Sequence, residues 1–348
     1  MKRAVILGGT GVLGRAIAWR LIRAGWAVDV TGRDGRKMPR DLAEAGARFI
    51  PSERRDHAAL ARVIGNGADL LVDAVCFTEG DAQMLVRHLS NVTSSVMLSS
   101  KAVYVDAAGN HVNSDVAPRF DTPITESHPT MNPGGGEYDS REGYGANKIA
   151  AENALLDSVH PVTVIRASKV HGEGAGRPRE WMFVKRVLDH RPAVFLAHAG
   201  LGGDHTTAAV NTAALVECVS SRPGVRILNS ADPDAPNARQ IAQTIARHLG
   251  HQWDEVLLDE TAPEGLGKHP WHFLPPVVLS TQASLDLGYE PVGTYAETVP
   301  RQIDWLLRIA ASGADPVAHD PFFRNFLDYR QEDETLTGTC LAASAGSD

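Results

Sequence analysis

The chain has 348 residues, of which 43% are apolar and 22% charged, as expected for a globular protein with a sizeable core. Its net charge of −8 argues against nucleic acid as the main partner. No apolar run reaches the roughly 18 residues of a membrane span, and the run before Gly8 is too short for a signal peptide. Three widely separated cysteines favour a reduced compartment, so we expect a cytoplasmic protein.

A strand, a glycine turn and a helix open the chain. Residues 3–8 form a short apolar run typical of a buried strand, and 12–24 has helical spacing. Gly8, Gly11 and Gly14 mark the passage from the strand to the helix. Glycines in this context permit a tight turn and close approach of the backbone, and the helix N-terminus offers free N–H groups to a pyrophosphate. The sequence therefore predicts a dinucleotide-binding turn.

Strands and helices alternate through the first half of the chain, which indicates a parallel sheet with helices on both faces. The strands are predicted near 3–8, 27–31, 47–50, 69–75, 94–99 and 162–166, and the helices near 12–24, 56–65, 79–89 and 143–158. Residues 225–228 are expected to rejoin the sheet.

The predicted organisation is an α/β fold with a doubly wound parallel sheet and a smaller substrate-side domain. We assign the nucleotide-binding domain to 1–170, completed by 206–229, the substrate-side domain to 171–205 and 230–330, and a flexible tail to 331–348. The tail is polar and lacks periodicity, so we expect it to be frayed.

The end of the second predicted strand indicates which dinucleotide binds. An acid there would hold the ribose 2′-hydroxyl of NAD, but this chain has Gly32 followed by Arg33. Asp29 lies too early in the strand to take that role. Because a guanidinium suits a 2′-phosphate, the sequence favours NADP (NADPH) over NAD, with a solvated loop arginine as the alternative.

Tyr144 and Lys148 are four residues apart on the predicted helix 143–158, so their side chains share one face. A phenol is a poor acid or base at neutral pH, but a neighbouring ammonium group stabilises its phenolate. The pair is therefore a candidate general acid and base. Tyrosine–lysine pairs at this spacing also arise by chance in helices, but the glycine turn upstream supports a catalytic role for this pair.

The glycines at 8, 11 and 14, the run 99–104 and the pair Tyr144 and Lys148 follow one another in an order and spacing that resemble a known family. It is the extended branch of the short-chain dehydrogenase/reductase family, often labelled NAD-dependent epimerase/dehydratase. The similarity runs from about residue 3 to 310 and includes 164–172, 227–229 and 287–291. It implies a Rossmann fold, an enzyme with a small-molecule substrate, and a homodimer.

The resemblance also implies roles for individual residues. Ser100 would hold the substrate oxygen, Tyr144 would move the proton, and Lys148 would also hold the nicotinamide ribose. The cofactor contacts that it implies are Gly8, Thr10, Gly11, Val12, Leu13, Gly14, Arg33, Ala74, Val75, Cys76, Ser99, Tyr144, Lys148, Ala167 and Val170.

Two departures from the family pattern narrow the expected chemistry. Sugar dehydratases of this branch carry an Asp-Glu pair directly after the catalytic serine or threonine, whereas this chain has Lys101 and Ala102, so elimination by that route is not expected. Where members that bind nucleotide sugars place an arginine on the diphosphate, this chain has Asp204, which would repel it. Arg179 or Lys185 would then have to substitute.

The segment 105–142 is long and lacks a regular pattern. It links Ser100 to Tyr144, so we interpret it as a mobile substrate lid, with plain disorder as the alternative. The 14 histidines show no His-x-x-x-His spacing, and we expect no metal site.

The sequence therefore predicts an NAD(P)H-dependent oxidoreductase that reduces a carbonyl or oxidises a secondary alcohol, on a substrate such as a secondary metabolite. One alternative is an epimerase of a sugar or sugar-like substrate, which would oxidise it transiently and return the hydride to the other face. A second alternative is a non-enzymatic NADP-binding regulator.

Overall fold

The computed structural model describes residues 1–318 and 320–345, and the chain folds into two compact units. The sheet unit comprises Met1–Gly176, His205–Asp234 and Val277–Thr298; the second unit comprises Arg177–Asp204, Ala235–Pro276 and the chain from Val299 onward.

The strands, in chain order, are β1 (Arg3–Leu7), β2 (Ala27–Gly32), β3 (Arg48–Pro51), β4 (Ala68–Asp73), β5 (Val92–Ser100), β6 (Val162–Ala167), β7 (Lys169–His171), β8 (Ala193–Leu196), β9 (Thr206–Ala208), β10 (Arg226–Ser230) and β11 (Asp254–Leu257). The helices are α1 (Val12–Arg23), α2 (Arg40–Glu44), α3 (His57–Ile64), α4 (Glu79–Val86), α5 (Arg141–Leu156), α6 (Trp181–Leu188), α7 (Ala209–Ser220), α8 (Ala238–His248), α9 (Gln282–Asp286), α10 (Tyr295–Ala311) and α11 (Arg330–Ala345).

The sheet unit is built on seven parallel strands in the order β10-β6-β5-β4-β1-β2-β3. The order runs outward in both directions from β1 and β4, as in a doubly wound sheet, and the predicted fold class is confirmed. The return of 225–228 to the sheet is confirmed as well, because β10 pairs with β6. A short parallel pair, β7 with β9, accompanies the main sheet in this unit.

Helices cover both faces of the sheet, which explains why β1 is apolar from Ala4 to Leu7. Ala4 and Ile6 belong to the core beneath α1 and α7, whereas Val5 and Leu7 belong to the core beneath α3, α4 and α5. Successive side chains of a strand point to opposite faces, so a strand covered on both sides has no polar face.

A third segment of the chain, which the sequence does not indicate, also belongs to the sheet unit. Residues 277–298 fall within the predicted substrate-side domain, but they belong to the sheet unit. Ile124 forms a parallel bridge with Leu279, and the Asn229 amide donates to the Ser280 carbonyl at 3.0 Å. These contacts link residues far apart in the chain, which no local pattern records.

The second unit has its own small sheet and aromatic core. Within it, β8 pairs in parallel with β11, and the buried Trp271 stacks on Phe183 of α6 with ring centres 5.9 Å apart. Within the described part of the chain, no helix is both long enough and apolar enough to cross a bilayer.

The frayed tail predicted from residue 331 is wrong for 331–345, because α11 occupies that stretch. Glu332 in its first turn is buried and forms ion pairs with Arg186 and Arg191. Ion pairs to residues some 140 positions earlier leave no periodic signal in the sequence. The last three predicted tail positions, 346–348, lie outside the described residues.

Asp29 is an anchor inside the sheet. It is buried on β2 and accepts hydrogen bonds from Arg3 at 2.8 Å and Arg48 at 2.7 Å, and Arg3 also donates to the Ile64 and Gly67 carbonyls. Burial opposes ionisation of this carboxyl, but the hydrogen bonds from Arg48 and Arg3 outweigh it and hold the pKa of Asp29 below its ordinary value.

We predict that Asp29→Asn lowers the free energy of unfolding by about 1–3 kcal/mol at pH 7, because two arginines lose a charged acceptor. A carboxyl with a lowered folded-state pKa stabilises above its unfolded pKa of about 3.9, and this contribution is lost as the pH falls through the folded-state value. The difference between the two proteins should therefore shrink below about pH 4. Urea unfolding from pH 7 to pH 3 measures it.

The matched control is Asp34→Asn, since Asp34 pairs with the exposed Arg36 at the surface and is expected to change stability little. A difference between wild type and Asp29→Asn that stays constant or grows on acidification would contradict the assignment.

Candidate functional site

The carboxyl ends of β1, β4 and β5 lie side by side, because these strands are neighbours and run parallel. The glycine turn (residues 8–14) leaves β1, Cys76 follows β4, and Ser100 ends β5. This edge of the sheet is where open α/β proteins bind their ligands.

The glycine turn packs so closely that side chains would not fit. Gly8 has a φ of +75°, and a Cβ added there would lie 2.7 Å from Val75 Cγ1. A Cβ on Gly14 would lie 2.6 Å from both the Gly8 carbonyl oxygen and Gly9 Cα. The start of α1 therefore rests directly on the turn that leaves β1.

The N-terminus of α1 suits an anion. Gly11 is its N-cap, no side chain caps its first turn, and that turn contains no acidic residue. A Cβ on Gly11 would meet only the Gly8 carbonyl oxygen, at 3.6 Å. The first N–H groups of a helix have no acceptor within the helix, so those of Val12 and Leu13 are free for a phosphate. The residues present thus fit a dinucleotide.

Lys148 joins the strand ends to α5. Its side chain is buried, and Nζ donates to the Cys76 carbonyl at 2.7 Å and the Leu98 carbonyl at 3.0 Å. Nζ also lies 4.6 Å from the centre of the Phe77 ring and 6.0 Å from that of Tyr144. The ammonium group is therefore fixed between β4 and β5 on the helix face that carries Tyr144.

Ser100 and Tyr144 are both half-buried, and the start of α5 lies against the turn that follows Ser100. A Cβ added to Gly145 would be 2.7 Å from the Ala102 carbonyl oxygen, which shows how close the two segments are. The Ser100 hydroxyl accepts a hydrogen bond from the Ala102 N–H at 3.2 Å. Its own proton remains available for a donor role toward another group.

The turn after β4 is held by two carboxylates that the sequence analysis did not single out. Asp73 accepts from the Val75 N–H at 3.0 Å and from Arg54, while Asp81 accepts from the Phe77 N–H at 3.0 Å. Burial opposes ionisation of Asp81, but the bond from Arg55 and the backbone donor keep its pKa below the ordinary value. Asp73 is the last residue of the otherwise apolar end of β4, and an acidic residue in that position is the feature of the sequence that indicates this role.

Cys76 supplies its backbone to the site and not its thiol. The residue is fully buried, and burial raises the pKa of the Cys76 thiol far above its ordinary value, with the neighbouring Asp73 adding to the effect. A thiol that stays protonated is a poor nucleophile and a poor metal ligand. Its carbonyl, in contrast, binds Lys148.

Arg33 is exposed directly after β2 and makes no hydrogen bond or ion pair among the described residues. Arg36, three residues further on, differs, because its guanidinium donates to Asp34 at 2.9 Å. There is little space for a side chain at Gly32, since a Cβ there would lie 3.3 Å from Phe49 and 3.5 Å from Thr10 Oγ1.

The connecting segment (residues 105–142) has no helix or strand before α5 begins, and it is tied to the start of that helix. His111 Nε2 lies 3.0 Å from a Glu142 carboxylate oxygen, and Arg141 donates to the Asn113 carbonyl at 2.9 Å. Near its end, Tyr138 stacks on Phe77 with ring centres 5.3 Å apart. The segment thus crosses the turn that follows β4.

The remaining predicted cofactor contacts lie at different places. Ala167 ends β6 beside Ser100 in the sheet register, and Val170 lies on β7. Ser99 is buried, and its hydroxyl donates to Glu152 of α5 and so has a partner inside the protein.

Three residues weighed for diphosphate binding belong to the second unit. Asp204 is buried, and Lys185 binds Asp189 one helical turn later, so its ammonium is already paired. Arg179 makes no ion pair among the described residues, and burial lowers its pKa. Lys185 therefore has a carboxylate partner, whereas Arg179 has none among the described residues.

The buried histidines of the sheet unit serve its structure. His171 Nε2 lies 3.0 Å from Asp232, and His205 accepts from the Leu279 N–H at 3.1 Å. Burial lowers the pKa of His205, which keeps the ring neutral. Across the residues that the structure describes, no cluster of three or more histidine, cysteine or acidic side chains is arranged to hold a metal.

A parallel sheet with a glycine turn after its first strand, and a lysine fixed at the ends of its central strands, defines a Rossmann-type dinucleotide-binding protein. The chain belongs to the NAD dependent epimerase/dehydratase family, whose profile matches residues 4–199, more than half of its length. The family resemblance seen in the sequence is thereby confirmed.

No curated protein matches the sequence, but solved structures share the fold. UDP-N-acetylglucosamine 4-epimerase from Bacillus cereus has a TM-score of 0.66 at 18% identity, over 88% of this chain and 100% of that one. dTDP-glucose 4,6-dehydratase from Bacillus anthracis, in complex with NAD, has a TM-score of 0.66 at 12% identity, over 88% of this chain and 97% of that one. UDP-glucuronic acid 4-epimerase from Bacillus cereus, in complex with UDP-glucuronic acid and NAD, has a TM-score of 0.64 at 12% identity, over 88% of this chain and 99% of that one. At these identities the likeness is one of fold.

Proposed function

We propose that this chain is a nicotinamide-dependent enzyme that interconverts a secondary alcohol and a carbonyl on a small molecule, with Ser100, Tyr144 and Lys148 as catalytic residues. The observation that carries the proposal is the fixed ammonium of Lys148, held by two backbone carbonyls on the helix face of Tyr144. A purely structural lysine would more often reach solvent or a carboxylate than end buried between strand carbonyls.

The glycine turn and the N-terminus of α1 would hold the pyrophosphate of the cofactor, through the N–H groups of Val12 and Leu13. The backbone of Val75 and Cys76 would line the middle of the molecule, and Lys148 would reach its ribose hydroxyls. When bound, the nicotinamide supplies hydride acceptance and return.

Proton movement falls to the protein. In the oxidising direction Tyr144 Oη takes the hydroxyl proton of the substrate, and in the reducing direction it gives that proton to the alkoxide oxygen. The Ser100 hydroxyl donates a hydrogen bond to the same oxygen. Lys148 holds the helix face that carries Tyr144 against the strand ends, so that the phenol stays beside the Ser100 end of β5 in both directions.

Epimerisation of a sugar-type substrate is the outcome that the comparisons support best, and net reduction, favoured by the sequence, is the second candidate. The family carries epimerases in its name, and two of the three structures above are nucleotide-sugar 4-epimerases. Dehydration is disfavoured, since Lys101 takes the place of the required acid.

Net reduction remains a candidate because of Arg33. Its unpaired guanidinium at the end of β2 suits a 2′-phosphate, and NADPH is the form that cells use for net reduction. NAD is the cofactor named for two of the similar structures, so cofactor preference separates the candidates.

One experiment distinguishes the two outcomes. The purified protein is incubated with UDP-glucose, UDP-N-acetylglucosamine or UDP-glucuronic acid together with NAD⁺ or NADP⁺, and with a panel of ketones together with NADPH or NADH. NMR follows the products, and absorbance follows the reduced nicotinamide. An epimerase forms the epimer with no net absorbance change, whereas a reductase consumes reduced cofactor in proportion to product. Absence of both signals across the panel would reject the proposed function.

We predict that Tyr144→Phe reduces turnover about 10²- to 10⁴-fold, because the proton donor is lost, while cofactor affinity stays within about twofold. Steady-state kinetics and a cofactor fluorescence titration measure the two quantities. The control is Tyr289→Phe, which removes a buried hydroxyl from the core beneath α1 and α7, on the other face of the sheet. Turnover that persists in Tyr144→Phe would reject Tyr144 as the proton donor, whereas cofactor binding without turnover in either protein would favour the non-enzymatic regulator.

We predict that Arg33→Ala weakens NADPH binding by about tenfold or more, with little change for NADH, because a charge-assisted contact to the 2′-phosphate is lost. Arg36→Ala is the matched control, since Arg36 is engaged by Asp34. Dissociation constants from fluorescence titration test this. No effect on either cofactor would show that Arg33 is a solvated loop residue, and an equal loss for both would contradict a contact with the 2′-phosphate.

A further inference from the structure

Glu152 is the centre of a buried network that none of the proposed roles uses. It lies on α5 four residues after Lys148 and eight after Tyr144, so the three side chains share one face of the helix. Its carboxylate accepts hydrogen bonds from the Ser99 hydroxyl and from Arg166, at 2.6 Å to Nη2 and 3.1 Å to Nε. Glu152 is 1% exposed and Arg166 3%.

The network fixes the strand end that carries Ser100. Ser99 and Arg166 are direct partners in the register of β5 and β6, so both side chains reach α5 from neighbouring strands. Ser99 and Ser100 share a peptide bond, so anchoring the Ser99 side chain restricts the backbone that carries Ser100. One carboxylate therefore sets the position of β5 relative to the helix of Tyr144 and Lys148.

The same network extends to the connecting segment. The Arg166 guanidinium lies 4.8 Å from the centre of the Tyr104 ring, and the Tyr104 hydroxyl donates to Asn229 at 2.8 Å. Burial raises the pKa of Tyr104 to about 12, so this hydroxyl remains a donor. The Asn229 N–H in turn donates to Glu126 of the segment at 2.7 Å.

Stability alone does not account for such an arrangement. Two ions removed from water lose hydration that their attraction only partly restores, and well-packed apolar residues often stabilise a fold as well or better. An ion pair with hydrogen bonds does, in contrast, hold its members in one geometry. Displacements of about 1 Å at a catalytic group can cost on the order of a hundredfold in rate.

We infer that Glu152 is a positioning residue of this enzyme, which sets Ser100 relative to Tyr144 and Lys148 by accepting the Ser99 hydroxyl. The inference rests on the proposed function. It assigns to Glu152 no contact with substrate or cofactor.

Two double variants isolate this role from folding. Glu152→Gln/Arg166→Met and Glu152→Leu/Arg166→Met both remove the charges together, so neither leaves a buried ion unpaired. They differ in one respect, because the glutamine carbonyl oxygen can still accept the Ser99 hydroxyl and leucine cannot. Ser99→Ala removes the hydroxyl that donates to Glu152 and leaves the ion pair in place. Asp29→Asn, at a buried pair elsewhere in the sheet, and Ser95→Ala, earlier on β5, are the controls.

The expected result is a kcat within about threefold of wild type for the glutamine double variant, and about tenfold or more below it for the leucine double variant and Ser99→Ala. Cofactor dissociation constants should stay within about twofold in the two double variants. Asp29→Asn should lose stability without losing kcat. Amide hydrogen exchange at the end of β5 should be faster in the leucine variant than in the glutamine variant.

Equal kcat in the two double variants, or losses of activity that follow the melting temperature as in Asp29→Asn, would overturn the positioning role while leaving the proposed function intact. Absence of turnover by the wild-type protein would instead reject the proposed function itself. In that case hydrogen exchange still reports whether Glu152 anchors β5, and equal exchange in both double variants would reject the anchor.

Discussion

The contact between Lys148 and the carbonyls of Cys76 and Leu98 is the constraint on which the site depends. A buried ammonium needs acceptors, and here the backbone at the ends of β4 and β5 provides them. The Leu98 carbonyl belongs to β5, and Asp73 and Asp81 hold the turn after β4 that carries the Cys76 carbonyl. In addition, α5 lies against the turn after β5. The helix that bears Tyr144 is thereby fixed to the sheet edge where the glycine turn lies.

Much of this could be predicted from the sequence, because the responsible patterns are local. Apolar runs gave the six strands of the first half and four of its helices, each within three residues of its observed ends. The glycines at 8 and 14 indicate a turn that no other residue could form, and the spacing of Tyr144 and Lys148 indicates a shared helix face. The family resemblance then supplied the expectation for Ser100, whose catalytic role remains a proposal.

What could not be predicted depends on partners distant in sequence. The helix at Arg330–Ala345 is anchored by Glu332 through Arg186 and Arg191, and residues 277–298 join the sheet unit through Ile124 and Asn229. Glu152 looks like one more polar residue of an amphipathic helix until the sheet brings Ser99 and Arg166 to it. The choice between epimerisation and net reduction also escapes the sequence, since it depends on how long the cofactor stays bound.

The late return of β10 to the edge of the sheet has a consequence for synthesis of the protein. During translation β6 emerges long before β10, its partner, and until then its apolar edge has open N–H and C=O groups. The bridge from Ile124 to Leu279 forms later still. Such non-local pairings close slowly and leave unpaired edges exposed to other chains. The nascent first half therefore has an open sheet edge at which it can pair with other chains before β10 arrives.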